Sequence, residues 1–509
     1  MPYWQLFYSP GTRWTIRPLF LLGCCMIGLK SKITTALRIP QIALRLSASR
    51  HISEELPNCM SKEMSTPKSL PNNRLLILAG PTGVGKSDIA AEICKSFRGI
   101  IVSADSVQAF KGVYIGANQP TREELIATPH LLIDRIDSNQ PYTVAEWRRD
   151  SHQCIQSLLL REDPNSPPSI LSNDIKRIRQ RYNYHDHETI LPVVVGGTML
   201  YLQWLVYGQP DASRPTTQAV EKALRTLEKF QSIPEEDKRW EQALQHVSSW
   251  DPKLESRLKS LEENDWYRLR RTMEITYTAI ESGEPMDSLF TGERDGSLES
   301  LGYDVRCIFV CPDDRQNHTQ VIDQRCEDML LRGLLTETTD LLLSNKLHDM
   351  AKRAIGYRQA LEYLQRADPQ PMDVQAFDAF LHDFTSATRR YAKRQMQWFR
   401  KDPNFCFVPV SLQDTKEERV RKAAERVQNL LLMSRDEYEA ELLPKNDEGQ
   451  WQESYLARMQ NEEQGKKMKL YQYKKHKLIQ GSQELESIIQ QSDDCTFRMQ
   501  GKTKINKLE

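Results

Sequence analysis

The chain has 509 residues, enough for about three ordinary domains, and an apolar share of 39% that can build cores on that scale. Lysine plus arginine (69) equals aspartate plus glutamate (69), which excludes a global basic field and leaves only local patches for nucleic acid. No run approaches the roughly 18 uncharged apolar residues of a membrane-spanning helix, and ten scattered cysteines argue against a disulfide scaffold and fit a reducing compartment.

Residues 1–53 contain no Asp or Glu, while Arg13, Arg17, Lys30, Lys32, Arg38, Arg45 and Arg50 stand among Ser, Thr, Leu and Ile. Such a basic, hydroxylated composition is that of an organelle presequence. Residues 1–70 are therefore expected to be a targeting or disordered segment, addressed to the mitochondrion or the plastid, with some protein also in the cytoplasm. A disordered tail is the alternative, and the apolar stretch 18–29 would also suit a signal-peptide core.

From Arg74 onward, short apolar runs ended by Gly or Asp alternate with helical patterns: LLILAG (75–80), GIIVSAD (99–105), HLLID (130–134), PVVVGG (192–197) and YDVRCIFVCP (303–312). Nearly unbroken apolar runs of this length read as strands buried on both faces, so the expected fold class is α/β, a parallel sheet wrapped by helices. The first part of this core spans 71–209. Within it, 161–190 is polar, rich in Pro at its start and basic in its middle, and reads as a surface insertion. Segment 210–298 has amphipathic stretches and no strand-like run, and is expected to be an inserted all-helical lobe. Residues 299–435 complete the core and then turn helical, and 436–509 reads as a charged, mostly disordered tail.

Gly80-Pro81-Thr82-Gly83-Val84-Gly85-Lys86-Ser87 matches G-x-x-x-x-G-K-[ST] between a strand and a helix. Glycines let backbone N–H groups converge on phosphate oxygens, Lys86 neutralises charge, and Ser87 can hold Mg²⁺. The loop alone does not fix the reaction. Strand 192–197 ends in Gly-Gly-Thr rather than in the metal-holding Asp common among nucleotide hydrolases and kinases, and Asp105 ends the other candidate strand.

Several ordered blocks then carry a likeness: GPTGVGKS (80–87), SADSVQAFKGVYIGANQPT (103–121), HLLIDRIDSNQPYTVAEWRRD (130–150), VVVGGTMLYLQ (193–203), DPKLESRLKSLEENDWYRLRRTMEI (251–275), RAIGYRQALEYL (353–364) and ATRRYAKRQMQWFRKDP (387–403). Over roughly 75–405 the chain resembles the tRNA isopentenyltransferase family, the tRNA dimethylallyltransferases. The resemblance implies transfer of the dimethylallyl group of dimethylallyl diphosphate to N6 of the adenosine 3′-adjacent to the anticodon, in tRNAs that read codons starting with U. It implies Mg²⁺ as cofactor, the anticodon stem-loop as partner, no membrane, and a monomer.

It also implies site residues. Asp105 matches the family's catalytic Asp, and Asp105, Ser106, Val107 and Gln108 match the block that contacts the target nucleotides. Thr82 and Lys86 are expected against the diphosphate, and Thr198 beside the tRNA. Among Arg353, Arg358, Lys393 and Arg394, all candidates for a phosphate clamp, Arg353 is the first choice and is placed with Thr82 and Asp105 in catalysis. Tyr267, Arg268, Leu269, Arg270 and Arg271 are expected to bind tRNA, since a basic cluster interleaved with aromatics supplies phosphate contacts and stacking surfaces. An amphipathic helix burying Trp266, Leu269 and Met273 is the structural alternative.

The general-base chemistry stands on its own as well. An adenine amine is a weak nucleophile, and a carboxylate that takes its proton as the bond forms assists it. The competing readings are a P-loop small-molecule or nucleotide kinase, with Asp105 as a metal ligand, and a non-catalytic RNA-binding protein. The tail lacks any C-x₂-C, so no zinc finger is expected.

Overall fold

A computed structural model describes residues 70–505 except 162–169, 211–214, 260, 262, 284, 286–293, 367–372, 468–477 and 480–481. Residues 1–69 of the expected presequence lie outside the described residues. The chain divides into two compact units, one containing residues 214–286 and a larger one of 66–213 with 287–509.

The larger unit is built on the strands β1 (Arg74–Ala79), β2 (Gly99–Ala104), β3 (His130–Leu131), β4 (Leu191–Gly196), β7 (Asp304–Pro312) and β8 (Cys406–Val410), while β5 (Gln209–Pro210) and β6 (Arg294–Asp295) form a small antiparallel ribbon. The six pair in parallel in the order β3-β2-β4-β1-β7-β8. β1 is central, with Leu76 opposite Val193 of β4 and Arg74 opposite Asp304 of β7. Every residue of β1, β2 and β4 is buried, as the unbroken apolar runs require when both faces are covered.

The strand alternation separates two cores. Leu75, Ile77 and Ala79 point into the larger one, with Trp147, Leu202, Ile322, Phe384 and Met396 from helices Val144–Leu158, Met199–Tyr207, Arg315–Leu331 and Val374–Phe399. Leu76 and Leu78 point to the other face, against Ile89 and Ile93 of helix Lys86–Phe97 and Val427 and Leu431 of helix Lys416–Leu432. Among the described residues, no helix is long and apolar enough to cross a membrane.

Four expectations change. HLLID is not a five-residue strand: Leu132 (φ 64°) and Asp134 (φ 50°) take left-handed conformations and stop β3 after Leu131. The chain after 312 is not wholly helical, because β8 adds an edge strand, the position where its Pro409 is tolerated. Insertion 161–190 carries helix Ile170–Arg181, which buries Leu171 and Ile175, while buried Arg179 donates to the carbonyls of His185 (2.9 Å) and Glu188 (2.8 Å).

The tail is the fourth correction. Helices Arg435–Leu442, Glu453–Lys467 and Ser482–Ile505 occupy much of the stretch expected to be disordered. Tyr438 is buried, its hydroxyl accepting from the Cys307 N–H (2.9 Å) and donating to the Cys307 carbonyl (2.8 Å) on β7. Ala457, Ile488, Ile489 and Cys495 enter the larger core. Few apolar residues suffice here, because they dock on helices that already exist.

The smaller unit is helical, as expected. Helices Thr217–Gln231, Glu236–Ser248, Leu254–Lys259 and Trp266–Ser282 enclose Ala219, Ala223, Ala243, Val247, Leu269 and Met273, with Trp240 edge-on to Trp266 at 5.1 Å.

Candidate active site

The carboxyl ends of β1, β2 and β4 meet at one edge of the sheet, where open α/β folds place their sites. The loop after β1 turns through Gly83 (φ 82°) and Gly85 (φ 95°), conformations that favour glycine. A Cβ at Gly80 would lie 2.6 Å from the Val310 carbonyl, so the loop starts pressed against β7. Gly85 caps helix Lys86–Phe97 without a side-chain bond, which leaves the first N–H groups and their partial positive charge available to an anion. Val84 is buried and anchors the loop, whereas the Ser87 hydroxyl is exposed and makes no hydrogen bond among the described residues.

Lys86 Nζ donates to the Pro81 carbonyl at 2.8 Å. Burial of the ammonium, reinforced by the Arg325 guanidinium and opposed by Asp105, brings its pKa down to about 7. Arg325, on helix Arg315–Leu331, makes no ion pair among the described residues. Burial lowers its pKa, against the raising influence of Cys326 and Asp105. Two cations thus share a site in which Asp105 acts on both and Asp328 on Arg325, and no carboxylate is bonded to either among the described residues.

That carboxylate is fixed by its own loop. Asp105 Oδ1 accepts from the Val107 N–H (2.9 Å) and the Gln108 N–H (3.3 Å), the turn that a short acidic side chain makes with the backbone beyond it. Thr198, after β4, accepts at Oγ1 from the Ser106 N–H at 3.3 Å. Tyr391 donates to the Gly197 carbonyl at 3.4 Å, and burial followed by the Asp105 charge raises its pKa. Thr82 is bonded on both sides of its residue: its N–H donates to Gln395 Oε1 (3.0 Å), and its carbonyl meets His318 Nε2 at 2.8 Å. Burial brings the His318 pKa down to about 4, so the ring is neutral and Nε2–H donates.

The structure thus brings Gly80–Ser87, Asp105, Ser106 and Thr198 to one sheet edge. Gln108 serves differently, because both ends of its amide hold the loop: Nε2 donates to the carbonyls of Ala117 (3.2 Å) and Asn118 (3.1 Å), and Oε1 accepts from Ser103 (3.0 Å). Arg353 is exposed at the end of the short helix Asp349–Arg353, and no interaction among the described residues links it to Lys86 or Asp105. Arg358 pairs with Glu362 at 3.6 Å, and Lys393 and Arg394 are exposed.

In the smaller unit, Arg268 pairs with Asp265 (3.3 Å), while Arg270 and Arg271 share Glu274 (3.1 and 3.2 Å). Leu269 is fully buried among the lobe helices and so cannot face RNA, a correction that follows from its place on the inner side of the helix. The side chain of Tyr267 lies outside the described residues.

Arg325, His318, Tyr391 and Gln395 were not singled out from the sequence. His318 and Arg325 stand seven residues apart, two turns on one helix face, and Tyr391 and Gln395 four apart. Those spacings were the available signal.

A fixed carboxylate beside an uncompensated cationic cradle defines the class, an α/β enzyme that binds an anion and handles a proton next to it. Comparison with known proteins narrows it. A family model described as IPP transferase matches residues 108–165 and 172–402, more than half the chain. The protein named tRNA dimethylallyltransferase 9 of Arabidopsis thaliana is 34% identical over 379 residues, 68% of this chain and 73% of that protein. The one named tRNA dimethylallyltransferase 1 of Citrifermentans bemidjiense is 34% identical over 336 residues, 66% of this chain and 92% of that protein. A solved structure of a eukaryotic dimethylallyltransferase acting on tRNA shares the fold, with TM-score 0.50 and 21% identity over 78% of this chain and 96% of that one. The chain belongs to the IPP transferase family and is a prenyltransferase.

Proposed function

We propose that this protein transfers the dimethylallyl group of dimethylallyl diphosphate to N6 of the adenosine 3′-adjacent to the anticodon, in tRNAs reading codons that start with U. The observation that carries the reading is the pairing of Lys86 and Arg325, cations without a bonded carboxylate, with Asp105 at the end of β2, two strands away from β1. The glycine loop cradles a diphosphate as it would a triphosphate, but the electrophile is carbon. The C1–O bond to diphosphate breaks, the C1–N6 bond forms, and Asp105 takes the N6 proton. Lys86 and Arg325 balance the charge of the departing diphosphate.

The exposed, unbonded Ser87 hydroxyl at the first helical turn fits Mg²⁺, which takes few protein ligands and completes its shell with phosphate oxygens and water. When bound, Mg²⁺ would add further neutralisation of the leaving group. The target base must leave its stack to reach Asp105, and Asp105–Gln108 and Thr198 would line its approach. Arg268, Arg270 and Arg271 of the smaller unit, with Tyr267, would meet the RNA backbone, and Arg353 would contribute a phosphate contact. Residues 1–70 would direct the protein to a mitochondrion or plastid, and fusion of that segment to a fluorescent reporter tests this, with diffuse cytosolic signal as the contrary result.

The main test incubates the purified full chain with unmodified tRNA and labelled dimethylallyl diphosphate in the absence of ATP. Label in the tRNA, mapped to N6 of that adenosine, is the expected outcome. No label in the tRNA, together with transfer of the γ-phosphate of labelled ATP to a small-molecule or nucleotide acceptor, would instead establish a kinase.

A further inference from the structure

Gln395 lies on helix Val374–Phe399 with 1% of its surface exposed, and both ends of its amide are engaged by loops from different strands. Oε1 accepts from the Thr82 N–H in the cradle loop after β1 (3.0 Å), while Nε2 donates to the Gly197 carbonyl in the loop after β4 (2.9 Å). Cradle loops of this type ordinarily direct their amides at phosphate. Here the Thr82 amide is taken instead by a helix side chain that also holds the neighbouring loop.

The surroundings show that this tie fixes a close register. A Cβ at Gly197 would fall 2.2 Å from Gln395 Nε2 and 3.1 Å from the Gly80 carbonyl. A Cβ at Gly196 would fall 2.2 Å from the Ala104 carbonyl, next to Asp105. The connection continues through Thr198, whose hydroxyl accepts from the Ser106 N–H. From His318 through Thr82, Gln395, Gly197 and Thr198 to Ser106, hydrogen bonds and covalent neighbours link the loops of β1, β4 and β2. One end of this chain holds the leaving group, and the other holds the general base.

We infer that Gln395 is a positioning residue that sets the separation between the diphosphate cradle and the Asp105 loop, so that the allylic carbon reaches the nucleobase amine and not water. The inference rests on the transfer reading given above. In the productive step, C1–O of the donor breaks, C1–N6 forms, and the N6 proton passes to Asp105. In the competing step the same C1–O bond breaks, C1 bonds to a water oxygen, and dimethylallyl alcohol forms as the water proton passes to solvent. Diphosphate leaves in both. Ionisation depends on the cradle alone, whereas capture depends on the amine lying within about 3–3.5 Å of the carbon. Loosening the tie therefore affects the second more than the first.

The experiment measures diphosphate, prenylated tRNA and dimethylallyl alcohol released by the full chain under single-turnover conditions. The variants are Gln395→Met, which keeps length and removes both bonds, and Gln395→Glu, which keeps the acceptor for Thr82 and loses the donor to Gly197. Gln395→Met is expected to raise the ratio of alcohol to prenylated tRNA by ~10-fold or more with diphosphate release within ~3-fold of wild type, a size in keeping with the cost of misplacing a reacting group by about an ångström. Gln395→Glu should fall between. Alcohol and prenylated tRNA falling in parallel at constant ratio, in a variant with unchanged melting temperature, would overturn the inference. Should Gln395→Met fail to fold, the ratio for Gln395→Glu decides alone: a wild-type value overturns the inference, a raised one supports it. If wild type releases diphosphate without prenylating tRNA, the transfer reading fails instead.

Discussion

The cations of the two compact units are equipped differently. Arg268, Arg270 and Arg271 each have a carboxylate within 3.3 Å, and those carboxylates, Asp265 and Glu274, are themselves largely buried. Lys86 and Arg325 have none so close; burial lowers both pKa values, and the Arg325 charge lowers that of Lys86 further. A basic residue with its own counter-ion contributes modestly to an anion's affinity, because the new contact replaces one already made. A desolvated pair of cations without a bonded carboxylate is an unmet demand for negative charge, and the proposed chemistry is placed at the sheet edge for that reason.

Asp105→Asn should have the largest effect, since it retains the shape of the loop but removes the proton acceptor. A fall in kcat of ~10²–10⁴-fold is expected, with the tRNA Kd within ~3-fold, measured by single-turnover prenylation and filter binding. Equal loss of both would show that Asp105 only shapes the loop. Lys86→Ala and Arg325→Met come next. Each should raise the KM for dimethylallyl diphosphate by ~10- to 100-fold, the loss expected for one charge-assisted contact.

The pH profile sharpens the contrast. With its pKa near 7, Lys86 in the empty cradle loses its proton as pH rises through neutrality, so donor binding must then take up a proton. The donor KM should rise with pH above 7 by up to about one log unit per pH unit, and Lys86→Arg, always charged, should flatten the profile. Linkage gives the matching sign for stability. The folded pKa lies below the unfolded value of 10.5, so the burden of the buried ammonium is full below pH 7 and is relieved as pH rises toward 10.5. Thermal unfolding of wild type against Lys86→Met across that range measures it.

The smallest effect belongs to the lobe. Arg268→Ala should weaken tRNA binding by only ~2- to 5-fold and reduce the salt slope by about one. A loss as large as that of Lys86→Ala would break the comparison between the two units.

The parallel sheet and helical lobe were legible because runs such as LLILAG and PVVVGG have no polar interruption and 214–286 has helical periodicity. The glycine loop and Asp105 stand out in the sequence because the features that mark them are local: glycines, a lysine and a strand-ending carboxylate within 26 residues. Arg325, His318 and Gln395 were not, since a helical face becomes part of a site only when the fold turns it toward Lys86 or Thr82. Arg353 lies in a recognisable block and so comes ahead of Arg358, Lys393 and Arg394, whereas Arg325 stands in a helix with no signature of its own and draws no notice. The tail misled for an energetic reason: Ile488, Ile489 and Cys495 are too few to make a core and enough to complete one.

The central strand carries a consequence for biogenesis. β1 is synthesised first, but its two neighbours begin only at Leu191 and Asp304. While a ribosome adds more than a hundred residues, Leu75–Ala79 has no partner on either edge, and such long-range parallel pairing is slow and exposes apolar surface meanwhile. The contact that presses Gly80 against the Val310 carbonyl can therefore form only after translation has passed β7.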